Sequence, residues 1–264
     1  EENKLDLLKF NIACHEHYKA GVDYELIIVD NSSTDSETNL YLKNLPYQVL
    51  KRENTGFSFG GYQYVWETFK DKYDYYLFYE EDIVPTKDGW LQEILLKFLS
   101  DKHIGAVGNI LEGYRDREYF KQWSFFKPGL VGDYWHQKPW RQCNLDGMFM
   151  FTSSRILGEC GLQVFNIKRN SDDPDDWDIT PGVNELFWQH PTLNAGYHLS
   201  SFDDGKHKYT NGICYMDWGI LKDYKEYAPM MHGQTMYCMP EMKQYFNWYG
   251  DKDKFNIKLS ETKS

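Results

Sequence analysis

The chain has 264 residues and an acidic balance, 29 Lys and Arg against 40 Asp and Glu, for a formal charge of −11. That charge repels polyphosphate chains unless a basic face is segregated, so nucleic acid is excluded as the expected partner. With a mean hydropathy of −0.68 and no apolar stretch near the ~18 to 20 residues of a membrane span, no transmembrane segment is expected.

No signal peptide, internal repeat or Pro/Ser-rich linker is visible, and the length allows a substantial core in one large or two intimate domains. Cys14, Cys143, Cys160, Cys214 and Cys238 are odd in number and scattered, without Cys-x-x-Cys spacing. The pattern suits reduced structural thiols in a cytoplasmic compartment better than a disulfide scaffold or a zinc site.

In chain order, a helix over Lys4–Cys14 is followed by a buried-strand pattern over Tyr24–Val29, then by Asp30-Asn31-Ser32-Ser33-Thr34-Asp35 and a helix beginning at Ser36. Ser33, Thr34 and Asp35 read as capping residues, which leaves Asp30, ahead of the cap, free to accept hydrogen bonds from a base or ribose. A strand ending in an acid before a helix start is a ligand-binding edge of an open α/β sheet.

A short strand over Tyr47–Leu50 then leads to Asn54-Thr55-Gly56-Phe57-Ser58-Phe59-Gly60-Gly61, which opens a helix running through Phe69. Glycines here let backbone approach a ligand, and helix-start N–H groups favour anions. The loop has neither the Gly-Lys-Ser/Thr ending of a phosphate loop nor the dinucleotide fingerprint.

Tyr75-Tyr76-Leu77-Phe78-Tyr79 is an aromatic strand pattern that runs into Glu80-Glu81-Asp82 and then Ile83-Val84-Pro85. If strand geometry continues, Glu80 and Asp82 project to one side, where Mg²⁺ or Mn²⁺ held between them neutralises a diphosphate. An ordinary solvated turn is the competing reading. A helix over Gly89–Leu99 and a strand over Ile104–Ile110 close this half.

Together these pieces resemble the nucleotide-sugar-binding half of a glycosyltransferase of the A-type fold, specifically the large family-two group. The resemblance is carried by Ile27–Asp35, by Asn54-x-Gly56-Phe57-Ser58-x-Gly60-Gly61, and by Glu80-Glu81-Asp82-Ile83-x-Pro85 with Gly89-Trp90-Leu91. It implies an α/β fold with a Rossmann-like mixed sheet flanked by helices. The whole would form one catalytic domain, 1–264, with a nucleotide-sugar-binding half at 1–110 and an acceptor-binding and catalytic half at 111–264.

The resemblance also implies that Asp30 contacts the nucleobase, that Asn54, Gly56, Gly60 and Glu81 border the donor, and that Glu80 and Asp82 occupy the Asp-x-Asp positions. Asp82 would be the direct metal ligand, and Glu stands where the family has its first Asp. In the family a strand precedes the first helix; no such strand precedes Lys4 here, so the sheet is expected to lack its first strand. A parallel sheet without a central strand exposes apolar faces and unpaired backbone groups.

Residues 112–145 crowd aromatics among polar and charged neighbours and read as a site-forming insertion. Trp123, Trp135 and Trp140 are the acceptor-site candidates, able to stack on sugar rings, although such residues also serve as core. Asp146, opening a strand pattern through Phe151 before a helix that stops at Gly161, resembles the family's donor-sugar segment; a turn-forming Asp-Gly pair is the plain alternative.

Asn184-Glu185, ahead of Ala195-Gly196-Tyr197-His198-Leu199, resembles the place where the family presents its acid pair, so Glu185 becomes the candidate base of an inverting transfer. The acid-rich loop Asp172–Asp178 lacks calcium-loop spacing and reads as exposed; its Asp178 is the fallback base. Late in the chain, His232-Gly233 resembles the family's His-Gly motif completing the metal shell, with His207 as a competitor in a charged loop.

The sequence reading is therefore a metal-dependent glycosyltransferase that uses Mn²⁺ or Mg²⁺ to move a sugar from a nucleoside-diphosphate sugar to a hydroxyl of a glycan or glycoconjugate acceptor. It would be cytoplasmic, or peripheral to a membrane. A non-catalytic carbohydrate-binding module and a sugar nucleotidyltransferase are the alternatives, although no glycine-rich basic triphosphate loop is visible.

Overall fold

The computed structural model describes residues 2–81, 83–111, 144–162, 164, 184, 189–201 and 213–215. The protein is mixed α/β, with a mixed sheet and flanking helices compatible with a Rossmann-like fold. It divides into two compact units, Glu1–Glu53 with Phe78–Asp101 and Phe202–Ser264, and Asn54–Leu77 with Lys102–Ser201.

In the first unit, helix α1 (Glu2–His17) buries Leu5, Leu7, Phe10, Ile12, Ala13 and Cys14. Strand β1 (Ile27–Asp30), helix α2 (Ser36–Asn44) and strand β2 (Gln48–Lys51) form a β-α-β unit whose strands pair in parallel from Ile27↔Gln48 to Asp30↔Lys51. Asp35 caps α2 by accepting from the Thr38 N–H at 2.7 Å, as its place in the sequence predicts.

Strand β1 starts three residues later than expected. Tyr24 is diverted from strand pairing because its hydroxyl bonds His15 at 3.0 Å and its ring meets the edge of Trp90 at 6.0 Å. Only β2 hydrogen-bonds to β1 among the described residues, and Ile27, Ile28 and Val29 stay half-buried. A two-stranded parallel sheet leaves apolar β-branched faces incompletely covered in this way.

Strand β3 (Tyr75–Tyr79) ends at the tyrosine, and a separate short strand, β4 (Ile83–Pro85), pairs antiparallel with β8 (Ile213–Tyr215). Helix α4 (Trp90–Leu99) begins after Gly89, whose φ of 79° is natural for glycine; its N–H donates to Lys19 O at 2.7 Å. The helix then buries Trp90, Leu91, Ile94 and Phe98 at helical spacing.

The second unit contains helix α3 (Phe57–Phe69) and the four-stranded sheet β3-β6-β5-β7, to which β3 contributes its early residues. Strand β5 (Ile104–Leu111) pairs antiparallel with β6 (Asn144–Ser153) and parallel with β7 (His198–Ser201). Ser153 caps helix α5 (Ser154–Cys160), which stops at Gly161, and helix α6 (His190–Asn194) leads through Gly196 into β7.

The core of the sheet is close-packed at Gly105. A Cβ there would stand 2.2 Å from Thr192 Cγ2 and 2.7 Å from Tyr197 Cβ, while Gly105 O accepts from the buried Thr152 hydroxyl at 2.7 Å.

Candidate functional site

The first acid-bearing edge is the carboxyl end of β1. Asp30 is its last residue, and the carboxylate is 2% exposed. One oxygen, Oδ1, accepts the Ser33 N–H at 2.7 Å, and the other, Oδ2, lies 3.4 Å from Lys51 Nζ on the neighbouring strand.

The sequence reading leaves this carboxylate free, whereas in the structure it ties down the loop that follows it. Around it the Ser32 hydroxyl donates to Arg52 O at 2.7 Å, Arg52 donates to Asn31 Oδ1 at 2.6 Å, and Lys51 donates to Asn39 Oδ1 at 2.9 Å. Ser32 adopts a left-handed φ of 64°, so the loop is held in a costly conformation by this web. Lys51 and Arg52, a basic pair at the end of β2, were not singled out in the sequence; adjacency to the end of a strand parallel to β1 is the signal that marks them.

The second edge follows β3, in the same unit. Strand geometry does not continue through the acids: the Ile83 N–H closes a turn onto Glu80 O at 3.1 Å. Glu80 and Glu81 thus lie outside the strand geometry on which the expected projection of positions 80 and 82 to one side rested. Glu80 and Glu81 are both half-buried in this turn.

The turn is gripped by α1. Asn11 Nδ2 donates to Glu81 O at 3.0 Å and to Ile83 O at 2.5 Å, and four residues along the helix His15 Nε2 meets the Tyr79 hydroxyl at 2.5 Å. Burial pushes the His15 imidazole down to about 3, so it is neutral, and the Tyr24 and Tyr79 hydroxyls can complement either tautomer. Its ring also meets the edge of Trp90 at 5.2 Å. Asn11 and His15 were missed in the sequence; two polar residues spaced i, i+4 on an otherwise apolar helix face are the signal that could have found them.

In the second unit, Gly56 precedes α3 with a φ of 73° and no side-chain cap, and Val164 Cγ1 would stand 3.1 Å from a Cβ placed there. In the first turn of α3 the Gly60 N–H donates to Gly56 O at 3.0 Å. Asn54 is exposed and Gly60 is buried. Asp146 lies in β6, and Asn184 is helical and fully buried.

Asp82, Trp123, Trp135, Trp140, Asp178, Glu185, His207 and His232 lie outside the described residues. Among the described residues no group of three or more His, Cys, Asp or Glu side chains is gathered to hold a metal, and no helix is long and apolar enough to cross a membrane. Cys14, buried, and Cys160, partly buried, are free thiols. No protein-family model matches the chain, and no curated protein matches it.

Proposed function

We propose that the chain is a glycosyltransferase of the A-type fold, family-two-like, transferring a sugar from a nucleoside-diphosphate donor to an acceptor hydroxyl with inversion. The observation that carries this reading is the presence of two acid-bearing segments in one compact unit, Asp30 at the end of β1 and Glu80 with Glu81 in the turn that follows Tyr79. Carboxyl ends of strands are where open α/β sheets bind ligands.

In this reading the loop fixed by Asp30 receives the nucleobase, with Asn54, Gly56 and Gly60 bordering the donor and Asp146 touching its sugar. The oxygen donors of the acidic turn suit a hard cation, so Glu80 and Asp82, with His232, would hold Mn²⁺ or Mg²⁺. Bound there, the cation supplies charge neutralisation for the departing diphosphate. Glu185, with Asp178 as the alternative, takes the proton of the acceptor hydroxyl as its oxygen attacks the anomeric carbon. The bond from that carbon to the diphosphate oxygen breaks, and its electron pair leaves with the nucleoside diphosphate. Trp123, Trp135 and Trp140 stack on the acceptor.

A screen of nucleotide sugars for hydrolysis with and without Mn²⁺ tests the reading, because slow transfer to water needs no acceptor. One donor turned over only with the metal supports it. Release of diphosphate from a nucleoside triphosphate and a sugar phosphate, with no donor hydrolysed, points instead to a nucleotidyltransferase.

A further inference from the structure

We draw no further inference here: the strongest candidate, the outer edge of β1, where Ile27, Ile28 and Val29 stay half-buried and the strand pairs with β2 alone among the described residues, is an unpartnered apolar strand edge, and nothing in the structure shows what covers it.

Discussion

Replacing Asp30 separates the two jobs its carboxylate combines. Asp30→Ala removes the acceptor for the Ser33 N–H at 2.7 Å and the partner of Lys51 at 3.4 Å. A hydrogen bond to a charged group is worth about 1.5 to 3 kcal/mol. The ion pair adds little, under about 1 kcal/mol, because the Lys51 side chain is 59% exposed and keeps Asn39 as a partner.

The expected loss is therefore about 2 to 3 kcal/mol, or roughly 4 to 12 °C in unfolding temperature for a chain of this size. Asp30→Asn keeps an oxygen facing Ser33 and gives up only the charge, so its loss stays under about 1 kcal/mol. Calorimetric unfolding of the three proteins measures both. In nucleoside-diphosphate titrations, Asp30→Ala should bind at least about tenfold more weakly, since the loop that receives the base is released, while Asp30→Asn stays nearer wild type. An alanine variant as stable as wild type refutes the tethering of the loop. An asparagine variant as damaged as the alanine one shows that charge, not acceptor geometry, carries the effect.

Asp82→Ala should abolish metal-dependent donor binding and turnover, and His232→Ala should weaken Mn²⁺ binding without a matching loss of stability in metal-free unfolding; near-wild-type titrations sink both assignments. Glu185→Gln should leave donor affinity intact and cut turnover by about 10²-fold or more, and the base moves to Asp178 if Asp178→Asn alone collapses the rate. Burial holds His15 neutral in the fold, at about 3 against an ordinary value of 6.5, so the unfolded chain takes up its proton first. Stability from this residue is complete above about pH 6.5 and falls toward pH 3, a loss of about 2 kcal/mol by pH 5. Denaturant unfolding across that range should show the slope in wild type and a shallower one in His15→Gln.

What the sequence made legible was local. The cap at Asp35 and the stop at Gly161 each depend on residues within a few positions, and the helices begin and end there. The break after Tyr79 was not legible, because it depends on Asn11, seventy positions earlier, and on β4 pairing with β8 more than a hundred positions later. The acids alone are as compatible with a continuing strand as with a turn. The partners of Asp30 were hidden for a related reason: Lys51 lies on a neighbouring strand, and the Ser33 contact belongs to a loop that Ser32 and Arg52 also hold.

The central claim, a nucleotide-sugar site that depends on a divalent cation, is tested most directly by isothermal titration of the chain with a panel of nucleoside-diphosphate sugars, with Mn²⁺ and with the metal chelated. The account predicts saturable binding of one nucleobase class with Mn²⁺ and a loss of at least about tenfold on chelation. Binding of free glycans with equal affinity in both conditions, and of no nucleotide sugar in either, would contradict it.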